Sequence, residues 1–302
     1  MIFYQSLLGD IPMNLVKKLT LTQQDLFYFY DNKVLENTLN FNTGTFIHFS
    51  SEVDPKATAL GLVKKDKIIL AETYKNKTIS GFSPKDLLQL FYFNILDDEE
   101  IILIAALGAA GTGKTTIAIA KALSDYFNHG KKIYLCKPTV MVQSHQNNVF
   151  GPVPGDIKEK YAPYLGSFEI VLNKVLGDNA KHYLNMMFEK KHIEFMPVEF
   201  TRGCTFENCT FILDEVQNLS WHELKTVLSR IGENSKIILC GDPHQIDTNV
   251  PYEDTGLSKL LTSNTYQKSH FTSSILLKKQ YRGKIPDLIY NIDKETNVSS
   301  KF

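Results

Sequence analysis

Apolar positions change their spacing along this chain, and the changes divide it. Up to about residue 80 they come in short runs, Thr45 to Phe49, Ala59 to Val63 and Lys67 to Ala71, punctuated by Asn, Gly and Lys, which reads as strands joined by turns. Ahead of them Leu26, Tyr30 and Val34 fall four apart, a helical spacing within Leu21 to Leu39. Residues 1–80 are therefore expected to form a small α+β or β-rich module, in which His48 reads as a surface strand residue rather than a ligand. From residue 81 the pattern alters. Ser83, Pro84 and Asp86 supply an N-cap, a first-position proline and a first-turn acid, predicting a helix that runs to about Ile95. Four apolar runs of strand length follow, Ile101 to Leu107, Lys132 to Cys136, Thr210 to Leu213 and Lys236 to Cys240. Between them Thr115 to Phe127, Ser167 to Phe188 and Leu219 to Ile231 read as helices. Buried strands alternating with helices predict an α/β domain over residues 81–292, with a mainly parallel sheet flanked by helices. Asp97 to Glu100 reads as a solvated turn, Val149 to Leu165 as a structured loop rich in Gly and Pro, and residues 293–302 as a tail.

Composition narrows the function classes. Formal net charge is zero over 302 residues, so no global attraction to nucleic acid or an anionic membrane is expected. Arg202, Arg230 and Arg282 are the only arginines against 30 lysines. Lysine suffices for a solvated surface, so each arginine is a candidate for specific work. The cysteines, Cys136, Cys204, Cys209 and Cys240, do not form a metal-ligand pattern and read as reduced thiols of a cytoplasmic protein. The first ten residues lack the pattern of a signal peptide, and no apolar run approaches the roughly 20 residues of a membrane span.

The chemistry begins at Gly108-Ala109-Ala110-Gly111-Thr112-Gly113-Lys114-Thr115, which fits G-x-x-x-x-G-K-[ST], the P-loop, between a strand and a helix. Glycines let backbone N–H groups turn inward around phosphate oxygens, and the helix N-terminus adds partial positive charge. Lys114 would reach the β- and γ-phosphates, and the Thr115 hydroxyl would ligate Mg²⁺. The run ending at Leu213 delivers Asp214 to hold the metal shell and Glu215 to polarise a water. The run ending at Cys240 leads into Gly241-Asp242-Pro243-His244-Gln245, placing Asp242 or Gln245 near the γ-phosphate. Gln89, 25 residues before Lys114, either reads the adenine N6 and N7 edge or is a polar residue on a helix face. Lys137, at a strand end, is a candidate contact to phosphate or nucleic acid. Arg282, late in the chain, can stabilise transition-state charge in cis or from a neighbouring subunit.

With these residues in view, the chain resembles the PhoH family of P-loop ATPases over about residues 80 to 292. The matching stretches are GAAGTGKT at 108–115, CKPTV at 136–140, FGPVPGDIKEKYAPYL at 150–165, FTRGCTFENCTFILDEVQNLS at 200–220 and LSRIGENSKIILCGDPHQID at 228–247. All three arginines fall where the family carries arginine, whereas Lys137 stands where Arg is commoner and Gly283 where Ser is commoner. The resemblance implies a RecA-like P-loop NTPase fold, similar to the first such domain of superfamily 1 helicases. It implies ATP and Mg²⁺ as cofactors, with Gln89, Gly108, Ala109, Ala110, Gly111, Thr112, Gly113, Lys114, Thr115 and Thr116 on the nucleotide. Thr115 and Asp214 would hold the metal, Lys114, Glu215, Gln245 and Arg282 would be catalytic, and Lys137, Arg202 and Arg230 would contact nucleic acid or a neighbouring subunit. The implied activity is ATP hydrolysis coupled to binding or unwinding of RNA or single-stranded nucleic acid, in a cytoplasmic, ring-like homo-oligomer, expected to be a hexamer in which Arg282 lies near the intersubunit site. An ATP-gated assembly module and a small-molecule phosphotransferase are the alternatives. Residues 20–80 are similar to the β-rich linker that joins this core to a PIN nuclease in longer relatives, and no nuclease activity is expected.

Overall fold

The computed structural model describes residues 16–73, 77–138, 162–246, 251–285, 288 and 292. Two sheets carry the architecture, and one helix lies between them. The first sheet has the strand order β1 (Lys17–Leu21), β3 (Phe46–Ser51), β4 (Thr58–Lys64), β5 (Lys67–Leu70), β2 (Val34–Glu36), with β1 parallel to β3 and the other pairs antiparallel. Helix α1 (Gln23–Asn32) packs Leu26 and Phe29 on Ile47, Phe49, Val63 and Ile68. Thr22 caps α1 through its side chain, and Lys33 ends it in left-handed backbone at φ 64°. The helical spacing read as far as Leu39 therefore stops at Asn32, and Val34 opens a strand.

The other side of β3 and β4 meets α2 (Leu87–Asp97). Phe46 stacks on Phe91 with ring centroids 4.0 Å apart, and every residue from Leu90 to Leu96 is buried. A helix without a polar face needs neighbours all round. Here the first sheet supplies one side and the second sheet with its leading helix the other. The N-cap is Asp86, whose carboxylate accepts the Gln89 N–H, so α2 starts three residues later than Ser83 suggested and Pro84 stands ahead of it.

The second sheet is six-stranded and parallel throughout, in the order β11 (Thr272–Leu277), β6 (Leu103–Gly108), β10 (Lys236–Gly241), β9 (Cys209–Leu213), β7 (Lys132–Lys137), β8 (Ile193–Pro197). The four strands read from the sequence are its centre; β8 and β11, the edges, were not predicted. Alternate strand residues serve two faces. Ile104, Ala106, Ile212 and Ile238 pack toward α2, α3 (Lys114–His129) and α4 (Ala162–Leu176). Leu107, Phe211, Leu213 and Leu239 pack toward α6 (Trp221–Leu228) and α7 (Gly256–Thr262). The single helix expected over Ser167 to Phe188 is two, α4 and α5 (Ala180–Glu189), divided by a 3-10 turn at Gly177–Asn179. A short α8 (Asn264–Lys268) precedes β11. Of the loop expected over Val149 to Leu165, residues 149–161 lie outside the described residues and 162–165 belong to α4; residues 1–15 and the tail at 293–302 also lie outside them.

The turn after α2 differs most from expectation. Glu99 and Glu100 are exposed, but Asp98 is buried and pairs with Lys64 of β4 at 2.8 Å. Asp97 pairs with Lys77 at 2.8 Å and Lys121 at 3.3 Å; Lys121 also pairs with Asp125 at 2.7 Å, and Asp125 accepts from the Thr210 hydroxyl at 2.8 Å. Lys236, at the start of β10, is buried and donates to the Leu96 and Asp98 carbonyls at 2.6 and 2.8 Å. The last carbonyls of a helix lack intrahelical partners, and where α2 ends between two sheets the buried Lys236 amino group takes the place of water. The acids are thus the anionic half of an ionic cluster joining the two sheets, not a solvated turn.

Burial, reinforced by Lys121, lowers the Lys236 pKa from its usual 10.5 to about 7, against the pull of Asp125, Asp98 and Asp97. Between those values the unfolded chain holds a proton that the folded one releases, so this residue makes stability rise as pH rises from about 7 toward 10.5. In Lys236→Met the slope of unfolding free energy against pH over that window, followed by urea denaturation, is expected to be smaller by about 1.4 kcal/mol per pH unit. An unchanged slope would show that Lys236 stays charged in the fold.

Candidate functional site

In a parallel sheet the chain leaves every strand at the same edge, and here that edge gathers the candidate residues. β6 ends at Gly108, β9 at Leu213, β10 at Gly241, β7 at Lys137 and β11 at Leu277. Gly108 has φ 140°, and a Cβ placed on it would lie 2.2 Å from the Leu277 carbonyl oxygen of the neighbouring strand. Only glycine lets β6 turn into the loop there. The Thr112 hydroxyl closes the loop on the Ala109 carbonyl at 2.9 Å, and α3 starts at Lys114 behind Gly113, whose φ is 97°. The Lys114 ammonium donates to the Gly108 and Ala109 carbonyls at 2.5 and 3.0 Å, which holds it at the mouth of the loop.

Next along α3, the Thr115 hydroxyl lies 3.2 and 3.3 Å from the two carboxylate oxygens of Asp214. Burial first, and the adjoining Glu215 second, hold the Asp214 carboxyl above its usual range, while Lys114 and Lys137 oppose them. A buried carboxylate whose proton affinity is raised gains from a cation beside it. An alcohol and a carboxylate side by side are hard oxygen donors suited to Mg²⁺. Below the pair, the Cys240 thiol is fully buried, and burial pushes its pKa far up, so it serves as a small core side chain. All four cysteines are free thiols, and among the described residues no group of three or more His, Cys, Asp and Glu could hold a metal.

Glu215 has left-handed backbone, φ 52°, unusual for a residue with a side chain. Its carboxylate accepts from the Gln217 amide at 2.8 Å and faces the Lys137 ammonium at 3.8 Å. Lys137 therefore meets an acid of the site. Asp242 is buried, with its carboxyl raised by burial, and accepts the His244 N–H at 3.0 Å. The Gln245 N–H donates to the Asp242 carbonyl at 3.0 Å, so residues 242–245 form a tight turn against Gln217.

Gln89 does reach the P-loop. Its amide donates to the Thr112 carbonyl at 2.9 Å and its oxygen accepts the Lys85 N–H at 2.9 Å, leaving one amide hydrogen and one lone pair. Arg282 is brought to the loop of its own chain: the Tyr281 N–H donates to the Gly111 carbonyl at 3.0 Å, and a Cβ on Gly111 would lie 2.9 Å from Arg282 Cγ. The Tyr281 hydroxyl bonds Asp86 at 2.5 Å, and the Lys85 ammonium stands over its ring, 4.7 Å from the centroid. The other two arginines are elsewhere. Arg202 is exposed after β8, its guanidinium 3.3 Å from His222 Nε2. The Arg230 carbonyl accepts the Phe206 N–H, ahead of β9 and β10, at the opposite edge from the P-loop. Sequence reasoning missed Tyr281 and Gln217 as site residues, although each adjoins a motif residue.

The family model for PhoH-like protein matches residues 82–292. Among similar curated proteins, Protein PhoH2 of Bacillus subtilis is 32% identical over 247 residues, covering 79% of this chain and 54% of that protein. A PhoH-like protein of B. subtilis is 42% identical over 146 residues, covering 48% and 44%. Protein PhoH of Escherichia coli is 36% identical over 160 residues, covering 53% and 43%. The chain thus spans about half the length of the curated relatives it matches. Among solved structures, the Pif1 helicase from Candida albicans aligns with a TM-score of 0.30 and 19% identity, over 61% of this chain and 37% of that one.

The close approach at Gly108 predicts a large stability loss. Gly108→Ala, whose Cβ would meet strand backbone 2.2 Å away, is expected to cost about 3 kcal/mol or more, measured by chemical denaturation. Gly111→Ala, at φ 83°, adds left-handed backbone strain but meets the Arg282 side chain rather than strand backbone and should cost less. Equal losses in the two variants would contradict this geometry.

Proposed function

We propose that this chain, which belongs to the PhoH-like protein family, is a P-loop ATPase that binds ATP with Mg²⁺ and hydrolyses it to ADP and phosphate. The observation that carries the reading is the Thr115–Asp214 contact, because it joins the P-loop helix to the acid at the end of β9 with Glu215 next in sequence. Loop N–H groups, the α3 N-terminus and the Lys114 ammonium balance phosphate charge. Thr115 and Asp214 would hold Mg²⁺, which supplies charge neutralisation at the β- and γ-phosphates. Glu215 takes the proton of the attacking water, a part suited to a carboxylate whose oxygens are oriented by Gln217 and Lys137. Gln245, next to the buried Asp242, senses the γ-phosphate side. The free hydrogen and lone pair of Gln89 read the adenine edge. Arg282, lying over Gly111, adds its charge to the transition state in cis. Thr116 and the amides of Ala109 to Gly113 complete the phosphate cradle.

The division into a β-rich module over 1–80, an ATPase domain over 81–292 and a tail is part of the proposal. So are coupling to RNA or single-stranded nucleic acid, for which exposed Arg202 beside His222 supplies a basic contact, and assembly into a homo-oligomeric ring in the cytoplasm. Among the described residues no helix is long and apolar enough to cross a membrane.

Lys114→Ala is expected to lower kcat by about 10³-fold or more while the circular dichroism spectrum is retained. Undiminished turnover in that variant would sink the mechanism. Free phosphate must appear without a phosphorylated acceptor. A panel of RNA and DNA added to the wild-type assay, with particle mass measured in the same buffer, tests coupling and assembly. Stimulation by a nucleic acid supports a motor, and none by any of them favours an assembly module.

A further inference from the structure

Gln217, which orients the Glu215 carboxylate, is fully buried, and all its polar atoms are engaged. One amide hydrogen goes to Glu215 Oε2 at 2.8 Å and the other to the Gln245 carbonyl at 2.9 Å. Its oxygen accepts the Asp242 N–H at 3.1 Å. The fit is built from both sides: a Cβ on Gly241 would lie 2.9 Å from that oxygen and 2.7 Å from Val216 Cγ1, so a larger residue at 241 would push Gln217 off the turn. Glu215 itself sits on left-handed backbone, and its other close partner, Lys137, is 3.8 Å away, too far for a good hydrogen bond.

We propose that Gln217 is a positioning residue that couples the water-activating carboxylate of Glu215 to the turn at Asp242 to Gln245, so that base and γ-phosphate sensor are set as one unit. The inference rests on the reading of Glu215 as the base. A carboxylate at the end of a flexible side chain faces the water only in some rotamers. A buried amide that donates to it from a fixed turn selects those rotamers, and the second hydrogen transmits any movement of residues 242–245 to the base. Gln217 is fully buried with every polar atom engaged inside the protein, so it acts only through the groups it bonds.

The test uses the full chain and Gln217→Met, which keeps the length of the side chain and removes every donor. The expected result is a fall in kcat of about 10- to 100-fold with KM for ATP within about twofold of wild type. The second readout is a double-mutant cycle with Gln245→Ala, in which the two losses in kcat combine to much less than their product. Wild-type kcat in Gln217→Met, or losses that multiply, would overturn the inference. Met leaves the Asp242 N–H and the Gln245 carbonyl unpaired, so Gln217→Asn is made alongside it; one methylene shorter, it retains an amide but cannot span both partners, and wild-type kcat there would equally overturn it. Glu215→Gln separates this inference from the reading beneath it. Lost turnover with ATP binding retained supports Glu215 as the base, and normal turnover removes that assignment whatever Gln217 does. Lost turnover in Glu215→Gln together with normal turnover in Gln217→Met defeats the coupling alone.

Discussion

A desolvated carboxylate needs a partner, and one edge of the six-stranded sheet delivers three acids, the buried Asp242, the desolvated Asp214 and the half-exposed Glu215, into the same crevice. Desolvating an unpaired charge costs several kcal/mol, so the groups around them answer that demand. Thr115 and Lys114 face Asp214, Gln217 and Lys137 face Glu215, and the His244 backbone N–H turns toward Asp242. Compensation is incomplete at Asp214, where burial and the adjoining acid outweigh the cations. That imbalance suits the crevice to a cation as well as to phosphate. A fold whose loop offers N–H groups to an anion and whose next strands offer carboxylates to a cation suits a metal-bound polyphosphate better than either component alone.

Helix α2 extends this constraint through the molecule. Its first turn belongs to the nucleotide side, where Asp86 holds Tyr281 and Gln89 holds Thr112. Its last turn belongs to the ionic cluster, where Lys236 takes its carbonyls and Asp97 and Asp98 take Lys77, Lys121 and Lys64. Between the ends its apolar faces fill the space between the sheets. The β-rich segment before residue 80 therefore packs against the helix that walls the site, and its β4 lysine is linked to the start of β10 through Asp98.

Much of this was legible from the sequence because the signals were redundant. Glycine spacing, the flanking strand and the following helix each pointed to the P-loop, and a central parallel strand, buried on both sides, announces itself as an unbroken apolar run. The failures have the opposite cause. β11 opens Thr-Ser-Ser and β8 carries Glu194, so neither is a continuous apolar run, and only hydrogen-bonded neighbours reveal them. Asp97 and Asp98 read as solvated because nothing local discloses that Lys64, Lys77 and Lys236, from 20 to 138 positions away, converge on them. The N-cap was misjudged because Ser83 and Asp86 are both good caps, and tertiary contact of Asp86 with Tyr281 decided between them. Gln217 was hidden inside DEVQN, since a buried glutamine and an exposed one look alike in a sequence.

The placement of Arg282 follows from the unpredicted edge strand. Because β11 pairs with β6 in parallel register, Leu277 finishes beside Gly108, and the chain leaving it crosses the loop within five residues. The Tyr281 N–H bond to Gly111 fixes that crossing, and the exposed arginine that follows runs its aliphatic stem over Gly111. Both contacts that tie this segment to the loop belong to Tyr281, its N–H on Gly111 and its hydroxyl on Asp86. The same crossing makes the site a composite of chain segments nearly 200 residues apart, Asp86 and Gln89, the P-loop, Asp214 to Gln217, and Tyr281 with Arg282.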